Sequence, residues 1–196
     1  MQARLEKRHA IAASVDAAWS VLKDIRAVAE CMPGASITEQ IGDNQYKGNV
    51  HVRVGPVRSV FAGTIDVTAV DESRHSVALS AKGKDKSGTS NASMQLTAAV
   101  TAVEGGGCEL IGNSEIKVMG KMANFGARMI NGVADQLIDK FLENFSNRVL
   151  APGAGEAAAD AASKVAEQPK ELNALALIWG LMAGFFRRLF GRKESP

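Results

Sequence analysis

The side chains that could do chemistry are few in this chain of 196 residues, and their spacing does not predict an active site. Cys31 and Cys108 lie far apart and form no Cys-x-x-Cys pair, so neither a disulfide framework nor a cysteine-rich zinc site is expected. His51 and Arg53 form a polar pair on one predicted strand, and an acid–base enzyme would need such a pair inside a cavity. Alternation along the strand directs both outward, although a register shift of one residue would reverse this. No catalytic residue and no metal site is therefore predicted.

The pattern of apolar residues predicts the elements that must position these side chains. A strand is expected at 4–12, followed by a helix at 15–23 capped by Ser14 and a short helix capped by Asp24. Period-two alternation then predicts six strands, near 36–41, 45–54, 58–70, 75–83, 89–102 and 108–118. A change to a 3.6-residue period predicts one long helix from about 121 to 149. The expected fold class is α+β, a curved antiparallel sheet wrapped around a long C-terminal helix.

The predicted inner face of the later strands is apolar and contains no Asp, Glu, His, Lys or Arg. Small residues such as Gly63, Gly112 and Ser114 alternate there with large ones, and the helix opposes them with Met122 and Met129. Small residues opposite adaptable methionines can leave an apolar cavity that reshapes around a ligand. A packed core in which the glycines ease strand curvature is the alternative, and the sequence leaves both open.

Composition and charge narrow the functional classes. Hydrophobic residues make up 46% of the chain, charged residues 22% and aromatic residues 5%, which is typical of a globular protein rather than a disordered one. The formal net charge is only +2, so no basic field for binding nucleic acid is predicted. The N-terminal residues lack the apolar run of a signal peptide, and a cytoplasmic location is expected.

Three motifs resemble the CoxG family, named for a carbon monoxide dehydrogenase subunit, of the START-like (SRPBCC) helix-grip superfamily. They are Cys-Met-Pro-Gly at 31–34, Val-Arg-Val-Gly-Pro-Val at 52–57 followed by Phe61 and Gly63, and Gly-Lys-Met-Ala-Asn-Phe-Gly-Ala-Arg-Met-Ile at 120–130. The resemblance covers roughly residues 2–150. The stretch 82–96 matches less well, because residues 85–90 are more polar than the family pattern.

The resemblance implies a deep hydrophobic pocket between sheet and helix, and an accessory role beside molybdenum-containing carbon monoxide dehydrogenase-type enzymes. A lipid-like ligand, such as an isoprenoid respiratory quinone, would suit that role, and no covalent cofactor is expected. The predicted ligand contacts face inward: Phe61, Gly63, Ile65, Leu79, Met94, Leu96, Ser114, Met122, Phe125, Met129 and Val133. The motif glycines also have structural interpretations, with Gly120 as a hinge and Gly126 as a point where helix and sheet approach closely.

Beyond the predicted domain at 1–150, the composition changes twice. Residues 151–171 are rich in Ala, Glu and Lys, which predicts a polar flexible linker, and residues 172–196 are apolar and then basic. The uncharged run 174–186 is shorter than the ~20 residues that a full membrane span needs. A membrane-tethering helix is predicted instead, through Leu175, Ile178, Trp179, Met182, Phe185, Phe186, Arg187, Arg188 and Phe190. Docking of this helix on a partner protein or on a second copy is the alternative.

These features favour a non-catalytic adaptor at the cytoplasmic face of the cell membrane. It would bind a quinone or lipid and recruit a carbon monoxide dehydrogenase-type molybdenum oxidoreductase, aiding delivery of electrons to the quinone pool. Two alternatives remain from the sequence. The chain is an assembly or maturation factor with no bound ligand, or it is a START-like enzyme such as a cyclase.

Overall fold

The computed structural model describes residues 1–151, which form a seven-stranded antiparallel sheet and a long helix that packs on it. The elements in chain order are β1 (Gln2–Ile11), α1 (Val15–Leu22), α2 (Ile25–Cys31), β2 (Ala35–Gly42), β3 (Gln45–Val54), β4 (Val57–Asp71), β5 (Ser76–Asp85), β6 (Ser90–Ala102), β7 (Cys108–Gly120), a 3₁₀ helix (Lys121–Phe125) and α3 (Ala127–Leu150). The strand order across the sheet is β1-β7-β6-β5-β4-β3-β2. The predicted sheet and C-terminal helix are confirmed. The predicted tail at 172–196 and the linker beyond Ala151 lie outside the described residues.

The two short helices begin where their capping residues predict. The Ser14 hydroxyl accepts a hydrogen bond from the Ala17 N–H at 3.2 Å, and the Asp24 carboxylate accepts from the N–H groups of Arg26 and Ala27 at 2.9 and 3.2 Å. Each cap satisfies N–H donors that have no partner within the helix. The helices therefore form between β1 and β2 and close one side of the sheet's concave face.

The sheet is a meander from β2 to β7, and β1 returns to pair with β7. Gly48, Gly63 and Gly83 occupy one row across β3, β4 and β5. A Cβ on Gly63 would lie only 1.9 Å from the carbonyl oxygen of Lys82. The two strands approach so closely there that only glycine fits, so the backbone itself explains this residue.

The prediction of one continuous helix over 121–149 is wrong. A five-residue 3₁₀ helix, Lys121–Phe125, precedes α3, and Gly126 separates them with a φ of 80°. A Cβ on Gly126 would meet nothing within 4 Å, so the predicted close approach of helix and sheet does not explain why this residue is glycine. Its left-handed conformation does, because residues with a Cβ rarely adopt it.

The buried apolar side chains form two separate clusters. The first cluster packs α1, α2 and the C-terminal half of α3 against the sheet, and includes Trp19, Val100 and Phe145. The second cluster is smaller and consists of Val54, Val118, Met122 and Ile130, with partly buried neighbours. It lies where the β3–β4 turn, the 3₁₀ helix and the start of α3 meet, which is referred to below as the hairpin end. The space between the clusters is where a ligand could lie.

Candidate ligand-binding site

Two adjacent rows of side chains cross the inner face of the sheet between the clusters. One row pairs Ile65, Ala81, Met94 and Ile116 across β4 to β7, and the next pairs Val67, Leu79, Leu96, Ser114 and Leu5 across β4 to β1. The sequence-predicted contacts among these residues are Ile65, Leu79, Met94, Leu96 and Ser114, and they are referred to below as the middle band. None of the five belongs to either core cluster. The structure therefore brings these predicted contacts together.

Incomplete burial in the middle band indicates space between sheet and helix. Ile65, Met94 and Leu96 are only partly buried, although they lie on the face that α3 covers. Gly112 lies one row further along the inner face, and a Cβ on it would meet nothing within 4 Å. A well-packed interior has few voids of this kind, because side chains interdigitate at close to crystal density. The structure therefore leaves open space beside this part of the inner face.

One polar atom within the middle band has no partner. The hydroxyl oxygen of Ser114 is buried and makes no hydrogen bond, and it is the single such side-chain atom among the described residues. Leaving a buried donor unsatisfied costs about 1–3 kcal/mol. A ligand carbonyl or hydroxyl that reached Ser114 by displacing the side chains around it would accept its hydrogen bond and remove that cost.

The second cluster closes the hairpin end of this space. Met122 is buried there, and Phe61, Phe125 and Val133 pack around it while remaining partly exposed. These four predicted contacts are therefore inward-facing at one end of the site. Met129 is not, because its side chain is 42% exposed; its Sδ lies 3.7 Å from the position that a Cβ on Gly55 would occupy. Met129 covers the β3–β4 turn from outside, which corrects its predicted inward position.

A polar network that was not predicted from the sequence supports the second cluster. The Asp85 carboxylate accepts hydrogen bonds from the Ser87 and Thr89 hydroxyls and from the Ser90 N–H, and the Ser90 hydroxyl accepts from the Met122 N–H at 3.1 Å. Hydrogen bonding by Ser87 and Ser90 holds the pKa of Asp85 below its usual value. The spacing of Asp85 and its Ser and Thr neighbours, typical of side chains that bond nearby backbone, was the signal. This polar stretch therefore positions the 3₁₀ helix.

Two titratable side chains face the helix from β1, a strand whose inner face was not predicted from the sequence. On β1, Lys7 forms ion pairs with Asp139 and Asp135 of α3 at 3.1 and 3.2 Å, and His9 Nε2 lies 2.8 Å from the Ser146 hydroxyl. The hydrogen bonds of Lys7 to the two carboxylates raise its pKa. The inner face was predicted only for the later strands, so both residues were missed.

The remaining candidates for chemistry lie away from the space. His51 is exposed, whereas Val52, its neighbour along β3, packs on the second cluster. Cys31 and Cys108 are free thiols buried in the first cluster, and burial raises the pKa of both. Within residues 1–151 no group of three or more His, Cys, Asp or Glu side chains could hold a metal ion. Every helix in that range is too short or too polar to span a membrane.

A family model described as a carbon monoxide dehydrogenase subunit, CoxG, matches residues 8–150, most of the chain. The chain belongs to the CoxG family. No curated protein matches the sequence at a significant level. The family match ends at the last residue of α3, so it contains both core clusters and the middle band.

Solved structures similar to this CoxG-family chain show the same fold. A conserved protein from Geobacillus kaustophilus has a TM-score of 0.66 at 23% identity, covering 76% of this chain and 95% of its own. The ZhuI aromatase/cyclase from Streptomyces sp. R1128 has a TM-score of 0.55 at 18% identity, with 78% and 99% covered. A START superfamily protein from Mycobacterium smegmatis gives 0.52 at 14% identity, with 74% and 96% covered. The START-like fold is thereby confirmed.

Proposed function

We propose that this CoxG-family protein is a non-catalytic carrier that holds an isoprenoid quinone or a similar lipid between the middle band and α3. The observation that carries the proposal is the buried, unpartnered Ser114 hydroxyl on an otherwise apolar band, in which Ile65, Met94 and Leu96 are only partly buried. Apolar burial would supply most of the affinity for an isoprenoid chain, and a quinone carbonyl could accept the Ser114 hydrogen bond. The quinone would carry the redox chemistry, so the protein needs only to bind and orient it.

The family description supports the partner in this proposal, a carbon monoxide dehydrogenase-type molybdenum oxidoreductase. The proposed tether is the tail at 172–196, with Trp179, Phe186 and Arg187 among its membrane contacts, at the cytoplasmic face of the membrane. A tethered carrier would bring the oxidoreductase to the membrane and pass its electrons to the quinone pool.

Mass spectrometry of organic extracts tests the ligand. The full chain should be purified from its native host without detergent, extracted, and compared with a host protein of similar size purified in the same way. We expect close to one isoprenoid quinone per chain and none in the control. An extract that contains no quinone or lipid, from protein that is folded by circular dichroism, would contradict the carrier function and favour an assembly factor.

Removal of residues 172–196 tests the tether. The truncated protein should lose most of its association with lipid vesicles in co-sedimentation, whereas the full chain should pellet with them. If the truncated protein still pellets to the same extent, the tail is not the anchor.

A further inference from the structure

The two ends of the described domain differ in the charges that their turns carry. At the hairpin end, the β3–β4 turn is flanked by Arg53 and Arg58, and the β5–β6 turn by Lys84 and Lys86. At the opposite end the turns carry mainly acidic residues: Asp43, Asp71, Glu72 and Glu104. The near-neutral charge of the whole chain conceals this separation. A surface with one sign of charge at one end can orient the domain toward a partner of the opposite sign.

The cations at the hairpin end form one surface on the outer face of the sheet. Arg53 and Arg58 lie directly opposite each other on β3 and β4, and the Lys86 N–H donates to the Val60 carbonyl oxygen at 3.0 Å. Lys82 and Lys84 continue the surface along β5, paired with Thr64 and Ala62. The basic surface is defined here as Arg53, Arg58, Lys82, Lys84 and Lys86, all of which are exposed.

No carboxylate neutralises this surface. Among the described residues, none of its five cations forms a salt bridge, whereas Lys47 nearby is paired with Glu39 at 2.8 Å. The carboxylates of Asp66 and Asp85 on these strands already accept other hydrogen bonds. Asp66 accepts from the Gln45 side-chain amide at 2.6 Å, and Asp85 accepts from the Ser90 N–H across the β5–β6 turn. Like charges placed directly across a strand pair are unfavourable, so an anionic surface that met Arg53 and Arg58 would stabilise them.

Exposed apolar side chains stand beside the basic surface. Val57 is 38% exposed at the tip of the β3–β4 hairpin, and Met129, which packs on that turn, is 42% exposed. Apolar side chains bordered by Lys and Arg are typical of a segment that lies at the interface of an anionic membrane, where the cations meet headgroups and the apolar groups enter the acyl region. An acidic protein surface would account for the cations but would not require the apolar tip.

We infer that the domain docks on an anionic lipid surface through its hairpin end, with Val57 and Met129 at the acyl boundary and the basic surface on the headgroups. This inference rests on the proposed membrane association and adds a second contact to the predicted tail. Because the second cluster closes the hairpin end of the ligand space, docking there would place that end against lipid. An apolar ligand could then enter without crossing water.

Fluorescence at single introduced cysteines tests the orientation in the full chain. Val57→Cys carries an environment-sensitive dye at the hairpin tip, and Val103→Cys carries it in a turn at the opposite end, where the native side chain is similarly exposed at 41%. The native thiols are buried and should not label. With phosphatidylcholine vesicles containing phosphatidylserine, we expect a blue shift at 57 and none at 103, and the shift should shrink as salt screens the charges.

Charge reversal separates the basic surface from the tail. Lys84→Glu with Lys86→Glu should raise the vesicle concentration needed for half of the maximal shift at 57 by roughly tenfold or more. Lys23→Glu with Arg74→Glu reverses as many charges at the opposite end and should leave the shift at 57 unchanged.

The inference is overturned if vesicles bind the chain without a shift at 57, if both labels shift equally, or if only the partner oxidoreductase produces the shift. Quinone in the extracts without a shift at 57 overturns the docking alone, whereas a shift without quinone contradicts only the carrier.

Discussion

The two ends of this domain are built differently. At the first cluster, Phe145, Val100 and Cys108 are essentially inaccessible to solvent, and two helices pack with α3 against the sheet. At the hairpin end only four apolar residues form the buried cluster, and Val57 and Met129 remain substantially exposed. Stability accumulates where apolar area is removed from water, so the first cluster holds the fold together. The hairpin end has less to lose by opening, which suits an entrance for a ligand.

Truncating one phenylalanine at each end should give the largest contrast. Phe145→Ala removes a completely buried ring and should lower the free energy of unfolding by about 3–5 kcal/mol. Phe125→Ala removes a ring that is only partly buried and should cost about 1–2 kcal/mol. Urea denaturation followed by circular dichroism measures both. Equal losses would mean that the two clusters stabilise the fold equally.

Much of the fold could be predicted because each element is encoded locally. Ser14 and Asp24 are caps that act on the next few residues, and alternation alone locates six strands to within a few positions. The break at Gly126 could not be predicted from the apolar period, because the period continues across the 3₁₀ helix into α3. The 3₁₀ helix is held at its start by tertiary hydrogen bonds, from the Lys121 N–H to the Thr89 carbonyl oxygen and from the Met122 N–H to the Ser90 hydroxyl, which the apolar period does not encode.

The candidate site was predicted in part for the same reason. Alternation identifies the middle band, since Ile65, Met94 and Ser114 share a face by parity alone. Whether the helix fills the space above them depends on distances that a sequence does not contain. Lys7 and His9 were missed because β1 pairs with β7, a strand far away along the chain, and the sequence does not show which face of β1 that pairing turns inward. Met129 was predicted to face inward because its spacing continues the apolar stripe, but its side chain lies by the β3–β4 turn and is 42% exposed.

Replacing Ser114 tests whether the unpartnered hydroxyl serves the ligand. Ser114→Ala should leave the free energy of unfolding of the ligand-free protein unchanged or raise it by up to ~1 kcal/mol, because an unsatisfied buried group is removed. The same variant should bind quinone roughly three- to tenfold more weakly, as expected for loss of one hydrogen bond. Calorimetry and thermal denaturation give the two values. A variant that is less stable and binds normally would show that Ser114 is structural.

Acid should loosen the hairpin end before the first cluster. The pKa of Asp85 lies below its usual 3.8, so its contribution to stability is complete above that value and is lost as the pH falls through the lower folded-state pKa. Hydrogen exchange at the Met122 amide, read by NMR below about pH 4, should accelerate relative to amides of Phe145 and Val149. Asp85→Asn should remove this difference in pH dependence. If the difference persists in that variant, another group holds the 3₁₀ helix.

The smallest expected effect belongs to the ion pairs of β1. The pKa of Lys7 is raised, so its contribution is present below the ordinary value of 10.5 and is lost as the pH rises through the higher folded-state pKa. Lys7→Met should cost less than ~1 kcal/mol, since exposed pairs contribute little. His9→Gln should leave the quinone content unchanged. If the wild-type protein converts an added quinone to a product and either variant abolishes that conversion, the enzyme alternative is supported.

The central claim is that the ligand occupies the space above the middle band, and filling that space tests it most directly. Gly112→Leu places a side chain where a Cβ would meet nothing within 4 Å, and Gly132→Leu does the same at an exposed position on α3. The quinone-to-protein ratio should fall at least about tenfold in the first variant and stay at the wild-type value in the second, with both folded. Equal quinone content in the two variants would contradict the site.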